Sequence, residues 1–277
     1  MALIQCNFYS NSLARTATVH VIIPTDKRTA LGQPAAPAEF PVLYLLHGIL
    51  GNYTDWVCGT TIQSLADTYD LCVVMPSGDN KFYCDSSKTG DKYGAFISEE
   101  LPDFIERTFP VSREREKTFL AGLSMGGFGT IVNGLKHPEK FGYLGMFSAA
   151  LIKDNILHAG EKGRFDLMTK AQYETVFDLS DAKDFEGSGN DYDRLAKECA
   201  ADKPVIWAAC GTEDSLIKAN RDFVKLLKEE GYDITWSEWT GKHNWVFWQE
   251  CIEKFIPWLP IVKGEAGVSS GNIRTEK

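Results

Sequence analysis

The feature that most constrains this chain is a series of short, almost wholly apolar runs: Val42–Leu46, Leu71–Met75, Thr118–Ala121, Tyr143–Phe147 and Pro204–Ala209. A strand covered on one face alternates apolar and polar residues, whereas one covered on both faces is apolar throughout. Five such runs ask for a sheet held between two layers. Segments of helical period lie between them. Ile62, Leu65, Ala66 and Tyr69 share one face, as do Ile97, Leu101, Phe104 and Ile105, where Pro102 is expected to kink or restart the helix. Met125–Lys136 is closed by His137-Pro138, and Phe223, Leu226 and Leu227 mark a helix ended by Gly231. Ile234–Trp239 is again strand-like, and Trp248, Ile252, Phe255 and Ile256 mark a last helix. Strands alternating with helices give an α/β class with a mostly parallel, doubly wound sheet. Within Ala14–Ile23, Ala17, Val19, Val21 and Ile23 alternate, so the sheet is entered through antiparallel N-terminal strands.

Arg28–Phe40, with Pro34 and Pro37, reads as a surface loop. Residues 151–203 break the alternation. They are polar, rich in Asp and Lys, and longer than an ordinary connection, so they read as an insertion with one or two helices, such as Tyr192–Ala200. Excursions of that length are usually lids, binding loops or disordered segments. The expected organisation is one domain over residues 1–262, the insertion near its site, and a polar C-terminal tail over 263–277. The composition, 44% hydrophobic and 24% charged, excludes a disordered, collagen-like or coiled-coil chain.

The net charge of −9, with no long basic run, argues against nucleic acid or an anionic membrane as partner. No apolar stretch approaches the ~20 residues that cross a bilayer. The N-terminus has no basic segment followed by an apolar core, so a cytoplasmic protein is expected. Seven cysteines with no CxxC pair suggest neither disulfides nor zinc, and read as small buried hydrophobes. No metal or nucleotide motif is present, so no cofactor is expected.

Gly122-Leu-Ser-Met-Gly126 has the G-x-S-x-G form. Alone the pattern is common; here an apolar strand runs into it and a helix follows, and such a sharp turn leaves its serine exposed. A serine hydroxyl needs a base. Of the five histidines, His20 lies in a strand, His47 at a strand end, His137 at a helix end and His158 in the insertion. His243 lies between a late strand and the last helix, where the base belongs in the order Ser…Asp/Glu…His. Cys210-Gly-Thr-Glu-Asp214 follows a buried strand and offers two acids at the same sheet edge. Asp214 is preferred and Glu213 is its rival. The oxyanion of an acyl-transfer intermediate needs amide donors. Met125 N–H should be one. Leu46-His-Gly-Ile-Leu-Gly51 should supply the other, from Ile49 in preference to Leu50, with His47 organising the loop. Trp56 is a candidate wall for an acyl group, and Trp248 reads as core.

The segments LLHGILGNYTDW, GLSMGG, CGTED and GKHNWVFW, in that order, resemble the esterase D-like branch of the α/β-hydrolases. That branch includes tributyrin, feruloyl and acetyl-xylan esterases, S-formylglutathione hydrolases and mycolyltransferase relatives. The likeness extends over nearly everything outside Leu151–Lys203 and the tail, including ALIQCNFYSNSL and SEELPDFIERTFPV. It implies an α/β-hydrolase fold, a triad of Ser124, Asp214 and His243, and oxyanion amides at Ile49 and Met125. The expected activity is hydrolysis of short-chain acyl esters, with a small-molecule ester as partner. Feruloyl or acetyl-xylan esterase and S-formylglutathione hydrolase are the alternatives, with acyl transfer and a non-catalytic binding role more remote. The sequence leaves open whether copies form a homo-oligomer.

Overall fold

The computed structural model describes residues 1–29, 31–160, 168–199 and 202–264. Its eight strands form one sheet: β1 (Ala2–Ser10), β2 (Arg15–Ile23), β3 (Val42–Leu46), β4 (Cys72–Pro76), β5 (Thr118–Leu123), β6 (Tyr143–Phe147), β7 (Val205–Gly211) and β8 (Ile234–Trp239), in the order β1-β2-β4-β3-β5-β6-β7-β8. β1 pairs antiparallel with β2, β2 pairs antiparallel with β4, and every later pairing is parallel. The expected fold class is borne out.

Register divides the apolar runs between two cores. Val42, Tyr44 and Leu46 of β3 face one side, with Leu120 of β5 and the helices Leu101–Thr108, Met125–Lys136 and Ile217–Glu229. Leu43 and Leu45 face the other, with Phe119, Ala121 and the helices Asp55–Gly59, Ile62–Thr68 and Trp245–Trp258. Burial on both faces removes any need for polar residues, and β3, β4, β6 and β7 accordingly carry none, whereas the edge strand β8, only half-buried, keeps Thr235, Ser237 and Glu238. The edge strand β1 keeps a half-buried alternation: Ile4, Cys6 and Phe8 pack inward, and the Phe8 ring stacks on Phe104 with centroids 3.9 Å apart.

Two local features differ in detail from the sequence expectations. The helix around Pro102 continues through a π turn, Phe96–Glu100, in which Leu101 N–H donates to Phe96 O; Pro102 then sits in the first turn of the next segment, where its missing N–H is tolerated. Among its described residues the insertion carries three short helices, Lys153–Leu157, Lys170–Val176 and Tyr192–Glu198, and a 3₁₀ turn at Ala182–Phe185. Phe177 and Phe185 are buried against Phe128 and Phe82, with Phe177 centroids 5.5 Å from Phe128 and 5.2 Å from Phe82. Rings at irregular spacing thus fasten a segment whose composition reads as polar. Of the expected tail, residues 265–277 lie outside the described residues; Gly264 N–H donates to Thr68 O. Cys72, Cys84, Cys199, Cys210 and Cys251 are buried as expected and Cys6 is half-buried, but Cys58 is exposed, on the short helix Asp55–Gly59.

Candidate active site

Ser124 stands between β5 and the helix Met125–Lys136 with φ 52° and ψ −117°. That left-handed backbone costs a non-glycine residue about 1–3 kcal/mol and persists only where its surroundings fix it. Here Ser124 N–H donates to Phe147 O at 2.9 Å, and Ser124 O accepts from Ala150 N–H at 2.9 Å and Phe128 N–H at 3.1 Å. The elbow also needs its glycines. A Cβ on Gly122 would lie 2.5 Å from backbone atoms of Gly126, and one on Gly126 would lie 2.5 Å from Leu46 O.

Asp214 and His243 follow β7 and β8, so both stand with Ser124 at the C-terminal edge of the parallel strands, where ligands bind in open α/β sheets. Their loops meet at Gly211 and Gly241: Glu213 N–H donates to Gly241 O at 3.0 Å, and a Cβ on Gly211 would strike the Gly241 backbone. The His243 Nδ1 lies 2.8 Å from Asp214 Oδ2, and its Nε2 lies 2.9 Å from Ser124 Oγ. Asp214 Oδ1 accepts Leu216 N–H at 2.9 Å. Burial pushes the Asp214 carboxyl up, but the hydrogen bond and charge of His243, together with Leu216 N–H, outweigh burial and hold it below the ordinary carboxylate value. An ionised carboxylate only accepts, so Nδ1 carries the ring proton and Nε2 is left to accept from the Ser124 hydroxyl. The rival acid Glu213 turns away, its carboxylate 3.7 Å from Lys242 Nζ. The His243 ring stands edge-on to Trp248, centroids 5.0 Å apart, which limits its rotation.

The loop after β3 packs against this serine. A Cβ on Gly48 would reach the Ser124 Cβ at 3.5 Å and the Leu123 side chain at 2.6 Å. Among the described residues, neither Ile49 N–H nor Met125 N–H donates to a protein acceptor. Leu50 N–H is engaged by Asn80 Oδ1 at 2.6 Å, which withdraws it as an oxyanion donor. His47 is buried; its Nε2 accepts Gly78 N–H at 2.7 Å, while its Nδ1 lies 2.6 Å from Gly48 O and donates to it. Trp56 does not line open space. It is 1% exposed, donates its indole N–H to Leu46 O at 3.0 Å and packs edge-on to Phe147 and Trp245, so it supports the loop from below. A residue ten positions after a strand end can point either way, and here the apolar layer took the indole.

Sequence reasoning passed over two residues that shape the site. Asn80 is one; its signal was only a Gly-Asp-Asn turn after a buried strand. Asn220 is the other: fully buried on the helix Ile217–Glu229, it accepts Ala149 N–H at 3.1 Å and donates to Ala149 O at 2.9 Å. It thereby ties the strand end that clamps Ser124 to the helix that follows Asp214.

A mostly parallel sheet of this order, with its polar constellation on the C-terminal loops, defines an α/β-hydrolase fold. The chain belongs to the family described as putative esterase, whose model matches residues 10–259. It is 38% identical over 263 residues to an acetyl esterase of Caldicellulosiruptor saccharolyticus, covering 94% of this chain and 98% of that one. It superposes on the fluorophosphonate-binding serine hydrolase F of Staphylococcus aureus with a TM-score of 0.81 and 27% identity, over 93% of this chain and 98% of that one. An S-formylglutathione hydrolase of the same organism gives a TM-score of 0.78 at 26% identity, with 93% and 98% covered. The protein is accordingly an enzyme of the carboxylesterase type. No helix among the described residues is long and apolar enough to cross a membrane.

Proposed function

We propose that this esterase hydrolyses short-chain acyl esters through an acyl-enzyme on Ser124. The observation that carries the proposal is the continuous line from Asp214 to His243 to Ser124, with contacts of 2.8 and 2.9 Å. His243 Nε2 takes the Ser124 proton as Oγ bonds to the ester carbonyl carbon. The carbonyl oxygen becomes an oxyanion, held by the N–H groups of Ile49 and Met125. As the tetrahedral centre collapses, the C–O bond to the alcohol breaks and imidazolium returns its proton to the leaving oxygen. Water then gives a proton to Nε2 while attacking the acyl carbon, and a second collapse frees the acid and restores the Ser124 hydroxyl. Ionised Asp214 stabilises the imidazolium and fixes the ring's tautomer.

The acetyl esterase relative favours a small acyl group. The S-formylglutathione hydrolase likeness favours a thioester as second reading. A panel of nitrophenyl esters from acetyl to octanoyl, with methyl ferulate and S-formylglutathione, separates these readings by kcat/KM. We further propose that residues 1–262 act as one domain with 151–203 beside the site, and that the enzyme works in the cytoplasm; light scattering reads whether copies associate. The central test is Ser124→Ala, which should abolish fluorophosphonate labelling and lower kcat by roughly 10⁴-fold or more. Turnover retained in that variant overturns the proposal.

A further inference from the structure

We infer that Asn80 is a positioning residue for the oxyanion pocket, holding the peptide that carries the Ile49 N–H; the inference rests on the esterase reading above. The Gly48–Ile49 peptide follows a glycine, so nothing in its own covalent structure fixes its direction. Its carbonyl, Gly48 O, accepts from His47 Nδ1 at 2.6 Å and from Gly51 N–H at 3.3 Å, and the residues on either side are anchored in turn. On one side is His47, whose imidazole accepts Gly78 N–H at 2.7 Å and whose carbonyl accepts the Tyr83 hydroxyl at 3.0 Å. On the other is Leu50, held at φ 68° by the 2.6 Å bond from its N–H to Asn80 Oδ1. A leucine in that region is unfavourable by about 1–2 kcal/mol and relaxes unless something restrains it. The Asn80 oxygen is a restraint from outside the turn, acting beside the turn's own bond from Gly51 N–H to Gly48 O at 3.3 Å.

All three groups that anchor His47 and Leu50 from outside the turn come from one loop, Gly78 to Tyr83. Asp79, Asn80, Phe82 and Tyr83 have φ of 43°, 55°, 52° and 56°. Four non-glycine residues in the left-handed region, two of them aromatic, form a run that persists only when over-determined from outside. The outside contacts are present. The Asp79 carboxylate takes Arg15 at 2.7 Å and the Tyr93 hydroxyl at 2.6 Å; the Phe82 ring lies 5.4 Å from Phe128 and 5.2 Å from Phe177; Tyr83 is wholly buried. The strained loop is thus a rigid bracket. Asn80 is its half-buried tip and its only side chain on the oxyanion turn past Ile49.

Asn80→Gly tests this cleanly, because glycine accepts φ 55° and removes only the side-chain acceptor; Asn80→Asp keeps an acceptor oxygen. The readouts are kcat and KM for nitrophenyl acetate, the melting temperature, and the NMR titration of the hemiketal formed by a ¹³C-labelled trifluoromethyl ketone on Ser124. That titration reports how strongly the pocket stabilises the oxyanion. Losing an oxyanion donor outright costs about 10²–10³ in kcat. A misdirected one should therefore cost about 10-fold or more in Asn80→Gly, with KM within about two-fold and the hemiketal pKa raised by about one unit or more. Asn80→Asp restores the acceptor but adds a charge that itself raises the hemiketal pKa, so its melting temperature, not its titration, should return toward wild type. An unchanged kcat, or a fall in kcat with an unmoved hemiketal pKa, overturns the inference. A wild type that forms the adduct but hydrolyses no ester overturns the esterase reading and leaves the titration to judge Asn80. A wild type that forms no adduct overturns both.

Discussion

Replacing Gly126 with alanine tests how tightly the nucleophile turn must sit on β3. An added Cβ would lie 2.5 Å from Leu46 O and 2.7 Å from His47 O, both backbone atoms that have no rotamer to escape into. Relieving the contact to 3.0–3.4 Å requires the turn and the strand end to part by about 0.5–0.9 Å. Ser124 lies on one side of that seam and Ile49 on the other, so the oxyanion pocket widens by the same distance. A misplacement near 1 Å can cost on the order of 10² in rate, which puts the expected loss in kcat at roughly 30–100-fold. Overpacking should lower stability by about 1–3 kcal/mol. Steady-state kinetics on nitrophenyl acetate and urea unfolding read the two effects. Gly189→Ala serves as the control, since a Cβ there meets nothing within 4 Å. A folded Gly126→Ala enzyme with kcat within two-fold of wild type would refute the reasoning.

Asp214→Asn keeps the shape of the site but lets the ring take the wrong tautomer, so kcat should fall by about 10⁴ with the melting temperature nearly unchanged; a loss under ten-fold would show that Asp214 does not orient His243. The His47 imidazole is held below the usual histidine range by burial, against the opposing pull of its bond to Gly48 O. A group with a lower proton affinity folded than unfolded contributes stability that is complete above the unfolded value, about 6.5, and is lost as pH falls through the folded value. Urea midpoints should therefore drop more steeply below pH 6.5 in wild type than in His47→Gln. Equal slopes would place the acid sensitivity elsewhere.

The parallel strands were legible because burial on both faces leaves a plain apolar run, as in Val42–Leu46 and Tyr143–Phe147. β1 was hidden by the same logic reversed. Leu3 and Tyr9 are exposed on its outer face while Ile4 and Phe8 face inward, so apolar residues on both sides blur the alternation. In the insertion, Phe177 and Phe185 carry the packing from positions with no helical or strand period, and the Asp and Lys around them dominate the composition. Ser124, Asp214 and His243 could be singled out because each follows a buried strand at the same sheet edge. Asp214 could not be separated from Glu213 by position, since both follow β7 at the same edge and only the meeting with His243, on a loop after a different strand, tells them apart. The bond that engages Leu50 N–H comes from Asn80, thirty residues downstream, and no local pattern reports such a bond. Trp56 misled because nearness in sequence to the loop says nothing about the side on which an indole is buried.

The excursion over residues 151–203 leaves from the end of β6 and returns at the start of β7, and these two strands are hydrogen-bonded neighbours from Tyr143↔Val205 onward. It fastens itself with aromatic rings and, among the described residues, contributes no strand to the sheet. Such an attachment leaves the sheet's hydrogen bonding uninterrupted across the point of departure. Its rings nevertheless press on Phe82 of the bracket loop and on Phe128 of the helix after Ser124, so changes within the segment are felt by the frame that holds the reacting groups.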